Sequence, residues 1–319
     1  MKHLIIGAAG FVGAYAIRQL HAEGTVHATR LPQEQLAPDC EALCTVHDLD
    51  ILDAEAVAAL LNQIQPDCIL HLAAQSSVAL SWKQPQLTAD INIKGTINLL
   101  EAARALQNKP RILLIGSGEE YGALKPDQIP VREETALHPA NIYAATKAAA
   151  EQVAQLYVRA YGMEIVMVRA FNHFGPDQRP IFVAADFCKQ AAEIECGLHE
   201  PVIRTGNLSA KRDFTDVRDI VRAYALLMKH GKAGTVYNVG SGTAIAVSEI
   251  LEMIRTQSSV PFTVETDPAR LRPVDVPVIA ADISRLQADT GWSPQIPPAQ
   301  TVSDMLEAAR RHLKEQSQA

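Results

Sequence analysis

The fold of this chain is decided by Gly7-Ala8-Ala9-Gly10-Phe11-Val12-Gly13, a G-x-x-G-x-x-G run that directly follows a short apolar segment. Glycine lets the backbone turn tightly and approach a pyrophosphate, whose charge meets the free N–H groups at the start of a helix. An ordinary strand-to-helix turn can carry the same glycines, so the position of the run matters. After the first strand of an alternating chain, it predicts a dinucleotide-binding loop made by Gly7, Gly10, Phe11, Val12 and Gly13.

Short apolar strands alternate with helical patterns through the first half of the chain. The pattern predicts strands at His3–Ile6, Val26–Thr29, Leu43–Val46, Cys68–His71, Ile112–Ile115 and Ile165–Arg169, and helices from Phe11 and over Ala54–Gln63, Leu87–Leu106 and Tyr143–Tyr161. Parallel neighbours need a crossover helix between them. This rhythm therefore predicts an α/β fold with a doubly wound parallel sheet, the Rossmann architecture.

Beyond Asn172 the sequence becomes rich in loops before a helical pattern at Val183–Cys196. A helix near Val217–Met228 and a strand at Thr235–Val239 then resemble the sheet layer again. We therefore predict a smaller, interleaved α/β substrate-binding domain. Residues 1–171 with about 214–241 and 276–288 would form the dinucleotide-binding domain, and about 172–213, 242–275 and 289–319 would form the nucleotide-sugar-binding domain.

The composition is that of an ordinary globular protein. Of 319 residues, 48% are hydrophobic and 20% are charged, which argues against disorder. Lys and Arg number 29 against 36 Asp and Glu, a formal charge of −7 without a basic cluster, so we expect no nucleic acid partner. The apolar run before Gly7 is too short for a signal peptide or a membrane span. It predicts a cytoplasmic protein with no membrane partner.

The five cysteines do not suggest a metal site. Neither the Cys40/Cys44 pair nor the Cys188/Cys196 pair has histidine or cysteine neighbours at a zinc-binding spacing. We expect reduced, mostly buried thiols.

Cofactor preference is suggested by the ends of the second and third strands. NAD-specific sites usually place a carboxylate after the second strand, where this chain has Arg30. A guanidinium there could hold the extra phosphate of NADP, so NADP(H) is the preferred cofactor and NAD(H) the alternative. Asp48-Leu49 follows the third strand and could contact the adenine, whereas Asp50 is equally suited to cap the next helix.

The chemical centre is predicted at Tyr143 and Lys147, which lie four residues apart on one helical face. A free tyrosine has a pKa of about 10, too high for proton exchange in neutral water. A lysine cation and an oxidised nicotinamide nearby would both lower that pKa. Ser117 follows the strand Ile112–Ile115 and is placed to bond the substrate oxygen as charge shifts onto it.

Together these motifs resemble the short-chain dehydrogenase/reductase superfamily, in its extended, nucleotide-sugar-modifying branch. The resemblance also includes His71-Leu72-Ala73-Ala74-Gln75 and Asn92-Ile93-Lys94-Gly95-Thr96. It implies that Leu72, Ala73, Ala74, Gln75, Asn92, Tyr143 and Lys147 bind the cofactor, and that Asn172 meets the substrate. Relatives pair through the helices that correspond to Leu87–Leu106 and Tyr143–Tyr161, which implies a homodimer with a four-helix interface.

The second half is similar to GDP-mannose 4,6-dehydratases and GDP-6-deoxy-4-ketohexose reductases. The likeness lies in the segments Gly206–Asp219 and Asp267–Pro277, of which the Phe214-Thr215 continuation is typical of the reductases. It implies that Asn207, Arg179, Arg212 and Arg272 contact the substrate, the last two through its diphosphate. Solvated surface arginines are the alternative, and for Arg179 the two interpretations are about equal.

This resemblance implies reduction of the C4 keto group of GDP-4-dehydro-6-deoxy-D-mannose to GDP-D-rhamnose. The alternative is a nucleotide-sugar 4,6-dehydratase or 4-epimerase with tightly bound NAD(P), because Ser117 and Glu119 occupy the positions of a Thr and a catalytic Glu in the dehydratases. In a reductase, Glu119 and Glu120 would serve hydrogen bonding around the sugar or the structure of the loop. A cofactor-sensing regulator is disfavoured, since the chain retains Tyr143 and Lys147.

Overall fold

The computed structural model describes residues 1–270 and 277–318. Its strands are β1 (Lys2–Ile6), β2 (Thr25–Arg30), β3 (Thr45–Asp48), β4 (Cys68–His71), β5 (Arg111–Ser117), β6 (Ile165–Ala170), β7 (Asn172–Phe174), β8 (Val202–Thr205), β9 (Lys211–Asp216), β10 (Val236–Val239), β11 (Ala244–Ala246), β12 (Thr263–Thr266) and β13 (Val278–Ile279). Its α-helices are α1 (Phe11–His21), α2 (Pro38–Glu41), α3 (Ala54–Ile64), α4 (Val78–Lys83), α5 (Pro85–Ala89), α6 (Gly95–Ala105), α7 (Ile142–Tyr161), α8 (Val183–Glu195), α9 (Val217–His230), α10 (Val247–Arg255), α11 (Ser284–Thr290) and α12 (Pro298–Gln318). Within the described ranges, no helix has the length and apolar character needed to cross a bilayer.

Seven parallel strands form the central sheet in the order β3-β2-β1-β4-β5-β6-β10. The chain order reverses between β1 and β4, which is the topological switch point of a doubly wound sheet. The predicted α/β class with a Rossmann sheet is therefore confirmed. Each of the predicted strands overlaps an observed one, and the prediction at Cys68–His71 coincides with β4.

The direction of the strands gathers the predicted site residues at one edge of the sheet. All seven strands run the same way, so their carboxyl ends meet at that edge. Gly7 follows β1, Arg30 and Asp48 end β2 and β3, and His71 and Ser117 end β4 and β5. Residues far apart in sequence thus come together without any special loop.

β1 is apolar along its length because helices cover both faces of the sheet. Leu4, Ile5 and Ile6 are each at most 1% exposed. Ile5 packs in the layer that contains α1 and α9, while Leu4 and Ile6 pack in the layer of α3 and α6. This double burial fixes the strand, and with it the place where Gly7 begins the glycine loop.

The helix predicted over Leu87–Leu106 contains a π-helical turn. α5, the turn Asp90–Lys94 and α6 follow one another without a break. Such turns are rare in proteins, and those that occur often lie at functional sites. Asn92 lies in this turn and is 2% exposed, so a local change of helical pitch presents a predicted site residue to the interior.

The second region has small sheets of its own. β9 pairs with β7, β11 and β13, and β8 pairs with β12. α8, α10 and α12 surround a core that includes Phe187, Ile250 and Leu306. β10 then joins the central sheet beside β6. The residue boundaries proposed for the two domains stay a prediction.

Candidate active site

The glycine loop turns between β1 and α1 with two glycines that the fold itself requires. Gly7 has a φ of 84°, and a Cβ there would lie 2.6 Å from the backbone nitrogen of Ala73. A Cβ on Gly13 would lie 2.1 Å from the carbonyl oxygen of Ala8. At Gly10 the nearest such atom would be 3.7 Å away. Gly10 therefore borders open space beside the free N–H groups that begin α1, and this space fits a pyrophosphate.

Two side chains that the sequence did not reveal support this loop. Thr29 accepts a hydrogen bond from the Gly7 N–H at 3.0 Å through its hydroxyl. His173, from β7, stacks on Phe11 with 6.2 Å between the ring centroids and 10° between the ring planes. The neighbouring Val12 is partly buried. The loop is thus held from the central sheet on one side and from the second region on the other.

Arg30 and Asp48, both predicted to meet the cofactor, form an ion pair with each other. The Arg30 Nε lies 3.1 Å from the Asp48 carboxylate, and its Nη1 lies 3.3 Å from that of Glu41. β2 has no carboxylate at its own carboxyl end, but folding brings two carboxylates there, Asp48 from β3 and Glu41 from α2. Leu49 is buried and donates its N–H to the Arg30 carbonyl at 2.8 Å. Any anion that binds Arg30 therefore meets a guanidinium whose positive charge is already paired with two carboxylates.

The segment His71–Gln75 borders the glycine loop at Ala73. The N–H groups of Leu72 and Ala73 both donate to the Ile6 carbonyl, at 2.9 and 2.8 Å. Ala74 is partly exposed, as expected of a cofactor-facing residue. The Gln75 side chain, however, accepts the Ser77 N–H at 2.6 Å and donates to the Ser77 carbonyl at 3.1 Å. That side chain shapes the loop, and the contact of Gln75 with the cofactor stays a prediction.

Asn92 is also a positioning residue. Its Oδ1 accepts the Gln75 N–H at 2.9 Å, and its Nδ2 donates to the Gln75 carbonyl at 3.2 Å and to the Thr146 hydroxyl at 2.9 Å. Its predicted role in cofactor binding stays a prediction. Asn92 joins the loop after β4 to α7 directly before Lys147.

Tyr143 and Lys147 lie on the first turns of α7. Asn141 caps this helix by accepting the Ala144 N–H at 2.8 Å, which fixes where the helix begins. Burial raises the pKa of Tyr143, and a hydrogen bond with the Ser117 side chain opposes that rise. The structure therefore brings the phenol and the predicted hydroxyl together. The lowering of the phenol pKa by Lys147 and an oxidised nicotinamide stays a prediction for the enzyme with bound cofactor.

The electrostatic surroundings of Lys147 are strongly shaped by burial. Lys147 is only 8% exposed. Burial lowers the pKa of its ammonium group to about 8, and the negative charge of Glu120 opposes this lowering. Burial, and secondly the charge of Lys147, lowers the pKa of His71 to about 3. His71 is therefore neutral at physiological pH and bonds the Thr96 hydroxyl at 3.1 Å.

Glu119 lies in the short 3₁₀ turn Gly118–Tyr121 that follows β5, and it contacts the residue that caps α7. Its carboxylate accepts a hydrogen bond from the Asn141 Nδ2 at 3.2 Å, and its negative charge contributes to the raised pKa of Tyr143. The carboxylate that a dehydratase would need is thus close to the phenol.

The predicted substrate residues lie in or next to the second region. Asn172, Arg179 and Asn207 are exposed, whereas Arg212 is 7% exposed and donates to the Lys211 carbonyl at 2.9 Å. Arg272 lies outside the described residues. Their roles toward a nucleotide sugar stay predictions.

The acidic residues in the segment Arg212–Asp219 are structural. Asp213 is fully buried and accepts the N–H groups of Ser241 at 2.6 Å, Gly242 at 3.0 Å and Ala281 at 3.1 Å. Asp216 caps the start of α9. Part of the motif that resembles the reductases therefore fixes the loops around Arg212.

The chain is similar to known proteins over nearly its whole length. The model of the GDP-mannose 4,6 dehydratase family matches residues 4–305. The chain belongs to this family. Its relatives include the GDP-6-deoxy-D-mannose reductase of Pseudomonas aeruginosa, which is 33% identical over 98% of this chain and 98% of its own length.

The relatives of this chain are named for different reactions, reduction in one case and dehydration in another. The GDP-mannose 4,6-dehydratase of Yersinia enterocolitica is 28% identical over 84% of this chain and 80% of its own length. A solved structure of RMD from Pseudomonas aeruginosa, complexed with NADPH, has a TM-score of 0.87 and 32% identity, and covers 98% of this chain and 100% of that chain. The family and the fold are thereby established for this chain.

The loop glycines of this family member predict a separation between stability and cofactor binding. Gly13→Ala places a Cβ 2.1 Å from the Ala8 carbonyl oxygen, so we expect a loss of about 1–3 kcal/mol in the free energy of unfolding. Gly10→Ala places its Cβ in open space and should cost less than about 1 kcal/mol, but should weaken NADPH binding. Urea unfolding and NADPH fluorescence titration measure the two effects.

The Gly10→Ala variant serves as the matched control for Gly13→Ala, since both add one methyl group to the same loop. Unchanged NADPH affinity in Gly10→Ala would contradict the assignment of the open space to a pyrophosphate. Equal unfolding free energies for the two variants would contradict the packing argument at Gly13.

Proposed function

We propose that this protein catalyses the NAD(P)H-dependent reduction of the C4 keto group of GDP-4-dehydro-6-deoxy-D-mannose to GDP-D-rhamnose. The observation that carries the proposal is the grouping of Ser117, Tyr143 and Lys147 at the carboxyl edge of the sheet, beside the glycine loop. The 33% identity to the GDP-6-deoxy-D-mannose reductase over 98% of the chain supports the choice of reaction.

The side chains of this site handle the carbonyl oxygen and the proton. The hydroxyl groups of Ser117 and Tyr143 donate to the C4 carbonyl oxygen and polarise it. Tyr143 then gives its proton to that oxygen, and the nearby Lys147 ammonium stabilises the phenolate that remains. NADPH, when bound at the glycine loop, supplies the hydride for C4. Asn172, Arg179, Asn207, Arg212 and Arg272 are the proposed contacts to the nucleotide sugar.

The proposed cofactor is NADP(H), with NAD(H) as the alternative. Arg30 at the end of β2 supports the preference, as does the relative whose structure is complexed with NADPH. The carboxylates of Glu41 and Asp48 weaken the expected preference for NADP(H), because they already pair with the Arg30 guanidinium.

Removal of Arg30 should affect the two cofactors unequally. Arg30→Ala leaves two carboxylates that repel the 2′-phosphate of NADPH, so we expect kcat/KM for NADPH to fall about 10- to 100-fold. The value for NADH should fall less than about threefold, because NADH carries no charge at that position. Steady-state kinetics with both cofactors measure the difference, with Arg18→Ala as a control at another surface ion pair. Equal losses with the two cofactors would show that Arg30 does not read the phosphate.

Glu119 keeps the 4,6-dehydratase as the second candidate. A dehydratase uses such a carboxylate to remove the C5 proton, and the position of Glu119 near Tyr143 is compatible with that step. In a reductase the same carboxylate has only to hold Asn141, which it bonds at 3.2 Å.

Cofactor stoichiometry separates the two reactions. Purified protein mixed with NADPH and GDP-4-dehydro-6-deoxy-D-mannose should consume one NADPH for each GDP-D-rhamnose formed. Conversion of GDP-mannose with no net change in added cofactor would overturn the reductase proposal. Glu119→Gln should lower kcat of a reductase less than about tenfold, whereas loss of a general base costs a dehydratase about 10²- to 10⁴-fold.

We also propose that two copies associate through a four-helix interface, to which each copy contributes the continuous helical segment α5–α6 and the helix α7. Leu87, Leu156 and Tyr161 lie on these helices and are 40%, 55% and 48% exposed. Apolar side chains at this exposure on neighbouring helices are typical of an association surface. Light scattering of the purified protein should give a mass near twice 34.6 kDa, and a monomer at micromolar concentration would exclude the interface.

A further inference from the structure

Thr146 lies on the first turns of α7, between the proposed catalytic residues Tyr143 and Lys147 in the sequence. It is 5% exposed. Its hydroxyl donates to the backbone carbonyl of Tyr143 at 2.8 Å. A threonine in a helix often makes such a bond to the preceding turn. The bond ties the Thr146 side chain to the turn that carries the phenol.

The same hydroxyl also bonds a side chain from another element. Asn92, in the π-helical turn Asp90–Lys94, donates from its Nδ2 to the Thr146 hydroxyl at 2.9 Å. Asn92 is 2% exposed, so this bond lies in the interior. The hydroxyl thus uses its single proton on Tyr143 and a lone pair on Asn92. Thr146 therefore joins α7 to the π-helical turn, in addition to making its local helical bond.

Asn92 continues the connection to the loop after β4. Its Oδ1 accepts the Gln75 N–H at 2.9 Å, and its Nδ2 donates to the Gln75 carbonyl at 3.2 Å. This loop packs against the glycine loop, where a Cβ on Gly7 would lie 2.6 Å from the Ala73 nitrogen. A chain of buried hydrogen bonds therefore runs from the cofactor side of the site to the Tyr143 carbonyl.

Loss of the Thr146 hydroxyl would break this chain at its centre. One N–H of the buried Asn92 amide would lose its acceptor, which is unfavourable. The bond between the π-helical turn and α7 at this point would also be lost. A displacement of about 1 Å in a reacting group lowers the rate of an enzyme about 10²-fold. Proton transfer from Tyr143 is therefore sensitive to small movements of the turn that Thr146 holds.

We propose that Thr146 is a positioning residue of the proposed reductase site. Its hydroxyl fixes the first turn of α7, and with it Tyr143 and Lys147, against the loop that packs on the glycine loop. The inference deepens the proposed function and rests on it. Thr146 acts through Tyr143 and takes no part in the proton transfer itself.

Steady-state kinetics on the full chain with NADPH and GDP-4-dehydro-6-deoxy-D-mannose test the inference. Thr146→Val has nearly the same shape and lacks the hydroxyl, so we expect kcat to fall about tenfold or more. The Kd for NADPH should stay within about threefold, because the glycine loop is unchanged. Thr146→Ser retains the hydroxyl and should keep kcat within about threefold of the unsubstituted protein. Equal kcat values in Thr146→Val and the unsubstituted protein would overturn the inference, as would equal losses in the two variants.

A matched control separates positioning from general destabilisation. Thr301 in α12 is likewise buried, and its hydroxyl donates to Asp216 at 2.7 Å in the second region. Thr301→Val makes the same chemical change, so it should lower the midpoint of urea unfolding but leave kcat within about twofold. An equal fall of kcat in Thr301→Val and Thr146→Val would overturn the inference.

The partnership with Asn92 is tested by a double-mutant cycle. If the two residues act through their bond, kcat of the variant with both Asn92→Ala and Thr146→Val should be no lower than that of the more impaired single variant. Losses that multiply as for independent residues would overturn the inference. If Asn92→Ala does not fold, the comparison of Thr146→Val with Thr146→Ser decides.

A spectroscopic readout needs neither cofactor nor sugar. Protein labelled with 3-fluorotyrosine carries seven ¹⁹F probes, and each signal is identified by its loss in a Tyr→Phe variant. In Thr146→Val the Tyr143 signal should move by more than its linewidth, whereas those of Tyr157 and Tyr161, further along α7, should stay in place. An unchanged Tyr143 signal would overturn the inference. A protein that shows the NMR change but reduces no 4-keto sugar would refute the proposed function and leave the positioning of Tyr143 intact, so the two failures are distinguishable.

Discussion

Tyr143→Phe should lower kcat by about 10²- to 10⁴-fold, which is the usual contribution of a positioned proton donor. The substitution removes one hydroxyl and keeps the ring that packs at the start of α7. The carbonyl oxygen then loses its proton source, and Ser117 alone cannot replace it because a serine hydroxyl is a far weaker acid. NADPH affinity should stay within about twofold, so the loss should appear in kcat and not in cofactor binding. Stopped-flow measurement of NADPH oxidation gives both quantities.

A matched control lies on the same helix. Tyr157 donates its hydroxyl proton to Glu101 at 2.6 Å, away from the carboxyl edge of the sheet. Tyr157→Phe removes the same atom from α7 and should leave kcat within about twofold. Undiminished turnover in Tyr143→Phe would make the active-site assignment wrong for any substrate.

Much of the central sheet could be predicted from the sequence because its signals are local. Each strand of a sheet covered on both faces is a short apolar run, and the glycine loop marks the first turn. The strands predicted at His3–Ile6 and Cys68–His71 became β1 and β4. Parallel direction then placed Ser117 and Tyr143 at a common edge. Residues at the carboxyl edge of the sheet are therefore the most accessible to sequence reasoning.

The second region was less predictable, because its strands are short and their pairing is not local. β11 and β13 have three and two residues, too few to show an alternating pattern. Their partner β9 lies between them in the sheet but precedes both in the chain. The buried Asp213 that joins their loops appears in the sequence only as one more acidic residue.

Side chains that support the site were missed for a related reason. Thr29 and Glu120 act on backbone groups whose positions are known only after folding. The family resemblance implies that Asn92 binds the cofactor, and that role stays a prediction. Its bonds to Gln75 and Thr146 show that a motif can be needed for placement as well as for contact.

Arg169→Met should destabilise the protein by about 3–5 kcal/mol, the usual cost of removing one partner from a buried ion pair. Arg169 is 5% exposed and bonds Glu151 through two nitrogens at 2.7 and 2.9 Å. It also donates to the Tyr121 hydroxyl at 2.8 Å. Methionine is apolar and can occupy much of the space, but it leaves the buried carboxyls of Glu151 and Glu120 without their shared cation. Urea unfolding at constant pH measures the loss.

The same variant should show a pH dependence of known sign. Burial already raises the pKa of Glu120 to about 8, and removal of the Arg169 charge raises it further. A carboxyl whose pKa is higher in the folded than in the unfolded protein destabilises the fold increasingly as pH rises above the unfolded value. The deficit of Arg169→Met should therefore be larger at pH 8 than at pH 5. Arg132→Met removes an arginine that is 75% exposed and should cost less than about 1 kcal/mol at either pH. A deficit of that small size in Arg169→Met would mean that the buried carboxyls do not depend on this cation.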